Sequence, residues 1–111
     1  MKRNPPSHRQ AIELSGEYDL ARRHELLTSF ETLAHGRPVW IDMQRVTFID
    51  STFLGVLAAL RVRLRENPVT LVGVRPNIAR VLALAKFDRL FVFAERDSAI
   101  GARVATIAGI A

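Results

Sequence analysis

Three neighbouring residues with side-chain oxygens, Asp50, Ser51 and Thr52, lie where the hydrophobic pattern of the sequence changes. The apolar stretch 46–49 ends there, and apolar residues at helical spacing follow directly. This pattern predicts a strand that leads into a helix. Side-chain oxygens at such a position cap the helix by accepting from its unpaired N–H groups, and the same N–H groups favour an anion. Ser51 is therefore a candidate cap, nucleophile or phosphate acceptor.

The rest of the chain offers no complete catalytic set. It has no cysteine, which excludes thiolate chemistry and disulfides. The histidines lie far apart and lack the spacing of metal ligands: His8, His24 and His35. None of them has a reason to converge on Ser51 as a triad would require, and the glycine-rich phosphate-binding motifs are missing. We predict a protein that is not an enzyme and needs no metal or cofactor.

The formal charge of +5 comes almost entirely from arginine. A basic domain raises the prospect of nucleic acid or an acidic partner. However, no run of arginines exceeds two, and aromatic residues do not interleave with them, so we interpret them as a solvated surface. No apolar segment approaches the roughly 20 residues that span a bilayer, and the basic N-terminus lacks the apolar region of a signal peptide. We expect a cytoplasmic protein without nucleic acid or membrane insertion.

At 111 residues the chain has the length of one domain. Residues 1–10 contain two prolines and no periodicity, and we predict a flexible basic tail there. The patterns predict strands at 11–14, 39–41, 46–49, 69–74 and 90–93, with breaks at 15–19 and 42–45. They predict helices over 20–34 with Asp19 as cap, over 53–64, from Pro76, and from Asp97 or Ser98 through Ile107. Strands that alternate with helices predict an α/β fold with a largely parallel sheet.

Three segments resemble the STAS domain family, which includes the anti-sigma-factor antagonists of bacterial partner-switching systems. Residues 14–19, L-S-G-E-Y-D, resemble its L-[ST]-G-E-[LI]-D motif. Residues 42–52 resemble its D-L-(x)2-V-x-(F/V)-(I/M)-D-S-[ST] signature, and residues 69–91 resemble the later strand–helix–strand segment. The order and spacing agree from about residue 11 to residue 93. The resemblance implies one small STAS domain over 11–111, with a mixed, largely parallel sheet and interspersed helices.

This resemblance implies a binding protein controlled by phosphorylation. The serine after the signature aspartate is the family's phosphoacceptor, which here is Ser51, with Thr52 as a minor alternative. The unmodified protein would bind an anti-sigma factor that is itself a serine kinase, and the phosphorylated form would not. The implied partner-binding residues are Glu17, Asp19, Asp50, Ser51, Thr52, Phe53 and Leu54. The alternative is a STAS domain that works without phosphorylation, as a scaffold or as an accessory subunit of a transporter or signalling complex.

The sequence departs from the family pattern in three places. Phe53 replaces a usual glycine, and its ring could enlarge an apolar contact or block a kinase from Ser51. Lys86 stands where a glycine often ends the third helix. The edge strand that commonly precedes the first motif is missing, which predicts an exposed sheet edge and, with it, self-association as a homo-oligomer.

Overall fold

The computed structural model describes residues 9–97 and 101–104. In chain order it contains β1 (Gln10–Tyr18), a 3-10 turn (Leu20–Arg22), α1 (Arg23–Glu31), β2 (Val39–Ile49), α2 (Ser51–Arg63), β3 (Val69–Val72), α3 (Pro76–Leu84), a second 3-10 turn (Phe87–Arg89), β4 (Val92–Asp97) and β5 (Gly101–Val104). The predicted α/β class is confirmed. Most of the predicted tail lies outside the described residues, and its last residue, Gln10, begins β1.

The strands of the sheet follow the order of the chain, from β1 at one edge to β5 at the other. β1 to β4 are parallel, and β5 is antiparallel to β4. Right-handed crossovers between neighbouring parallel strands bring each helix back to the same face of the sheet. The main core therefore lies between that face and the three helices. Its fully buried side chains include Leu26, Ile41, Met43, Val46, Phe53, Leu57, Leu71, Ile78 and Leu82.

The opposite face of the sheet carries a second, smaller apolar cluster. Val72 and Ala94 are buried there, with Trp40 packed against them. The Arg9 guanidinium stacks 3.8 Å from the Trp40 ring centre. Because this face lies on the far side of the sheet from the helices, it is remote from the start of α2.

The first motif does not break the chain as we predicted for 15–19. β1 continues through it to Tyr18, which pairs with Ile49 of β2. Two irregularities in the register, at Glu13/Ser15 and at Gly16/Glu17, let the strand continue. Gly16 takes a left-handed backbone with φ of 85°, which glycine adopts without a steric penalty. At both irregularities β2 advances one residue more than β1, so β2 carries the bulges while β1 remains continuous through its turn-forming residues.

The predicted turn at 42–45 is also wrong, because β2 runs unbroken from Val39 to Ile49. Its central position supplies partners on both sides: Asp42 pairs with Glu13 of β1 and with Val72 of β3. Beyond Asp42 the strand continues by pairing with β1 alone, as in Arg45 with Ser15, and this long-range pairing outweighs the local turn preference of these residues.

The C-terminal helix is contradicted where the structure describes the chain. Residues 101–104 form β5, in which Val104 pairs with Ala94. The remaining part of the predicted helix, at 98–100 and 105–107, lies outside the described residues. β4 also begins two residues later than predicted, because a 3-10 turn occupies Phe87–Arg89.

Two arginine side chains of α2 donate hydrogen bonds to backbone carbonyls of neighbouring segments. Arg61 donates to the carbonyls of Leu90, Leu64 and Asn67. Arg63 donates to the Phe30 carbonyl of α1. These bonds link α2 to the loops and helix beside it.

The exposed sheet edge that we predicted is present, since β1 is the outermost strand of the described sheet. Self-association through this edge stays a prediction.

Candidate functional site

The two family-like motifs meet at the carboxyl edge of β1 and β2. Glu17 pairs with Phe48, and Tyr18 pairs with Ile49. Asp19 and Asp50 therefore leave neighbouring parallel strands at the same edge of the sheet. Parallel pairing thus brings together two segments that are about thirty residues apart in the sequence.

The cap of α2 is Asp50. Its backbone is extended, and its Oδ1 accepts from the N–H groups of Thr52 at 2.9 Å and Phe53 at 3.1 Å. These two N–H groups belong to the first turn, which has no partners within the helix. Asp50 therefore performs the capping that the sequence alone also allowed for Ser51.

Ser51 is the first residue of α2, and its side chain is exposed. Within 9–97 and 101–104, nothing forms a hydrogen bond with its hydroxyl. Ser51 lies in an open cavity of about 360 Å³ between α1 and α2, which is lined by Leu20, Arg23, Leu27, Ser51, Thr52, Gly55, Val56 and Ala59. No histidine is among these lining residues. The described lining thus offers the exposed hydroxyl no side-chain base.

The first motif is fixed in place by Arg22. Its Nη1 donates to the carbonyls of Ser15 at 2.6 Å and Glu17 at 3.1 Å. Its Nη2 donates to Glu25, and this hydrogen bond raises the pKa of the Arg22 guanidinium and lowers the pKa of the Glu25 carboxyl. The guanidinium also lies 4.0 Å from the ring centre of Tyr18. Arg22 is therefore fully engaged in holding the end of β1.

Asp19 was predicted to cap a helix over 20–34; it instead caps the 3-10 turn, by accepting from the Ala21 N–H at 3.0 Å, and α1 begins only at Arg23. Asp19 and Glu17 are both exposed. Together with the half-buried Asp50, they place three carboxylates along this edge of the sheet. Of these three carboxylates, Asp50 adjoins Ser51 in the sequence, whereas the charged residue that lines the Ser51 cavity is Arg23.

Phe53 does not belong to the exposed surface. Its side chain is 1% exposed, and its ring centre lies 5.6 Å from that of Tyr18, which is also buried. Both alternatives for Phe53, a larger contact surface or a barrier to a kinase, require an exposed ring. Tyr18 stands where the family motif has Leu or Ile, and Phe53 stands where it has glycine. The two departures thus pack against each other in the core.

The other predicted contact residues, Thr52 and Leu54, are half-buried, and Leu54 packs against the main core. Sequence reasoning missed two exposed apolar side chains beside them, Leu20 at 70% and Phe48 at 47% exposure. Leu20 fitted the helical pattern but lies in the 3-10 turn, and Phe48 follows the β2 irregularity that disturbs simple alternation. Leu20 lines the cavity that contains Ser51, and Phe48 lies near the end of β2, two residues before Asp50.

The described residues contain no group of three side chains suited to a metal ion. None of the helices described by the structure combines the length and apolar character needed to cross a bilayer.

Comparisons with known proteins agree with this architecture. A family model described as "Mlab, STAS domain" matches residues 1–93. A STAS-domain containing protein of Pseudomonas aeruginosa (strain UCBPP-PA14) is 29% identical over 83 residues, which are 72% of this chain and 82% of the relative. The solved structure of the anti-sigma factor antagonist SpoIIAA in its unphosphorylated form has a TM-score of 0.53 and 18% identity, and the match covers 67% of this chain and 72% of that one. This last likeness concerns the fold.

Proposed function

The chain belongs to the STAS domain family, and on this premise we propose that it is an anti-sigma-factor antagonist of a partner-switching pathway. It binds an anti-sigma factor that is a serine kinase, and this kinase phosphorylates Ser51 and so ends the complex. The protein acts by binding in the cytoplasm rather than by catalysis. The resemblance to SpoIIAA, an anti-sigma factor antagonist, supports the class of partner.

The observation that carries this proposal is that Asp50, and not Ser51, caps α2. Asp50 provides the cap, while the Ser51 hydroxyl has no hydrogen bond in the described part of the chain. A group on Ser51 would therefore leave the fold unchanged. Its position at an exposed helix start also gives a kinase access.

Charge provides the means of release. A phosphate adds about −1.5 to −2 charges and three strong acceptors. At Ser51 it would directly follow the Asp50 carboxylate in the chain and lie at the same edge of the sheet as Glu17 and Asp19. A partner surface that fits the neutral hydroxyl would then meet concentrated negative charge, and like-charge contacts cost several kcal/mol. The fold persists while the complex is lost.

The proposed contact surface consists of polar and apolar residues around Ser51. Asp50 and Thr52 adjoin the hydroxyl, Glu17 and Asp19 form the neighbouring edge, and Leu54 lies half-buried beside them. The exposed Leu20 adds apolar area in the Ser51 cavity, and the exposed Phe48 adds apolar area near the end of β2. Phe53 contributes from the core, by supporting the first turn of α2 through its contact with Tyr18.

Incubation with ATP and a purified serine-kinase anti-sigma factor from the same organism tests this proposal. We expect one phosphate per chain, assigned to Ser51 by mass spectrometry of its peptide. Ser51→Ala should abolish the modification, and Thr52→Ala, the matched control, should leave it intact. Phosphate on Thr52 alone would contradict the choice of acceptor, and an unmodified chain that binds the kinase stably would contradict the switch.

Gly55 gives a second test, because it lines the Ser51 cavity and the fold does not require it. A Cβ added there meets no atom within 4 Å. Alanine is better than glycine inside a helix by up to about 1 kcal/mol, so Gly55→Ala should raise the free energy of unfolding in urea. A close partner would meet the added methyl group, and crowding of this kind costs about 1 to 3 kcal/mol, or roughly tenfold or more in Kd. Unchanged affinity by calorimetry would place the partner elsewhere.

The second candidate is a STAS domain that binds its partner constitutively, as a scaffold or as an accessory subunit of a transporter or signalling complex. The exposure of Leu20 and Phe48 favours it, because such an apolar surface needs no phosphate to bind. On this alternative the kinase experiment yields no modification, and Ser51→Asp leaves binding intact.

A further inference from the structure

Arg23 stands across the cavity from Ser51. The 3-10 turn and α1 supply one wall of this cavity through Leu20 and Arg23. The first turns of α2 supply the opposite wall through Ser51, Thr52 and Gly55. A cation and the proposed phosphoacceptor therefore face the same open space of about 360 Å³.

Arg23 has no structural task in the described part of the chain. Its side chain is exposed there and forms no hydrogen bond or ion pair, while its backbone N–H donates to the Leu20 carbonyl. The adjacent Arg22, in contrast, is held by Glu25 and by two β1 carbonyls. Arg23 is also the first residue of α1, where a positive charge opposes the helix dipole. The fold alone gives no reason for a cation at this position.

We propose that Arg23 binds the phosphate of phosphorylated Ser51 within the same chain, an inference that rests on the proposed phosphorylation of Ser51. A neutral hydroxyl offers a guanidinium little attraction. A phosphate offers two negative charges and oxygens that match the forked N–H groups of arginine. The pair would join the first residue of α1 to the first residue of α2 across the cavity that both line.

Arg23 is the charged side chain among the residues that line this cavity. Around it, Glu25 is bonded to Arg22, Asp50 caps α2, Asp19 caps the 3-10 turn, and Glu17 is exposed near the end of β1. These carboxylates oppose ionisation of a phosphate on Ser51, and the exposed His24 follows Arg23 on α1. All five groups are unchanged by substitution of Arg23, so a comparison of variants isolates the arginine.

Phosphoserine incorporated at position 51 during synthesis tests the pairing without a kinase. The phosphate is titrated by ³¹P NMR in the otherwise unaltered chain, in Arg23→Gln and in the control Arg65→Gln, an exposed arginine beyond the end of α2. A nearby cation favours the dianion, so the midpoint in the unaltered chain should lie roughly half a pH unit below that in Arg23→Gln. Arg65→Gln should match the unaltered chain, and 1 M salt should remove most of the difference.

Equal midpoints for the unaltered chain and Arg23→Gln would overturn the inference. An equal shift in Arg65→Gln would also overturn it, since the effect would then be one of net charge. The proposed function fails separately, if a serine kinase does not modify Ser51. The two failures are distinguishable because the phosphoserine is introduced without that kinase.

Discussion

Phe53→Gly, the substitution that restores the glycine of the family motif, is expected to lower the free energy of unfolding by about 4 to 6 kcal/mol. Truncation of a buried phenylalanine to alanine costs about 3 to 5 kcal/mol, and glycine in a helix costs about 1 kcal/mol more. Domains of this size are stable by about 5 to 15 kcal/mol. The variant should therefore be close to unfolding at room temperature, as measured by urea denaturation followed by circular dichroism.

Ala59→Gly provides the matched control for this experiment. Ala59 is exposed on the same helix, so its replacement should cost only about 1 kcal/mol of helix propensity. Equal losses in the two variants would contradict a core role for the Phe53 ring. In addition, Tyr18→Leu and Phe53→Leu should be coupled in a double-mutant cycle by about 0.5 to 1.5 kcal/mol, the usual value of an aromatic pair.

Ser51→Asp is expected to weaken binding to the serine-kinase anti-sigma factor by about 100-fold, while Ser51→Asn weakens it less than about tenfold. The two side chains have nearly the same shape, so the difference reports charge, and like-charge contact at an interface costs several kcal/mol. Titration calorimetry with the purified kinase domain measures both. Both variants should unfold within about 0.5 kcal/mol of the unaltered protein, because the hydroxyl has no structural bond.

Similar affinities for Ser51→Asp and Ser51→Asn would contradict charge as the basis of release. A loss of stability in both would instead show that the Ser51 hydroxyl supports α2. The separate measurement of unfolding therefore keeps the binding result interpretable.

The sequence predicted the start of α2 well because its signals are local. A carboxylate before an apolar helical pattern predicts a cap, and Asp50 is that cap. Pro76 at the first position of α3 is confirmed for the same reason. In both cases the residue acts on groups within one turn of its own position.

The lengths of β1 and β2 could not be predicted in this way. Residues 15–19 and 42–45 have local preferences for turns, but each segment finds hydrogen-bond partners in the neighbouring strand. Likewise, residues 101–104 pair with β4 as the antiparallel strand β5, and the local sequence pattern did not predict this strand. Long-range pairing decides these segments.

Phe53 shows two sequence arguments in disagreement. Its spacing with Val56, Leu57 and Leu60 predicts the buried face of a helix, whereas the family motif predicts a place in the contact surface. The structure buries the ring against Tyr18, so the periodicity is confirmed. A residue can therefore align with a family motif while its side chain packs in the core instead of contributing to the contact surface.

The order of strands in the sheet has a consequence for substitutions in the later elements of the chain. Every strand pairs with the one made immediately before it. The candidate site needs only β1, the first 3-10 turn, α1, β2 and α2, all complete at Arg63. Because domains generally fold as units, this surface forms together with β3 and α3, whose residues share its core; substitutions in those later elements should therefore affect the Ser51 surface through stability alone.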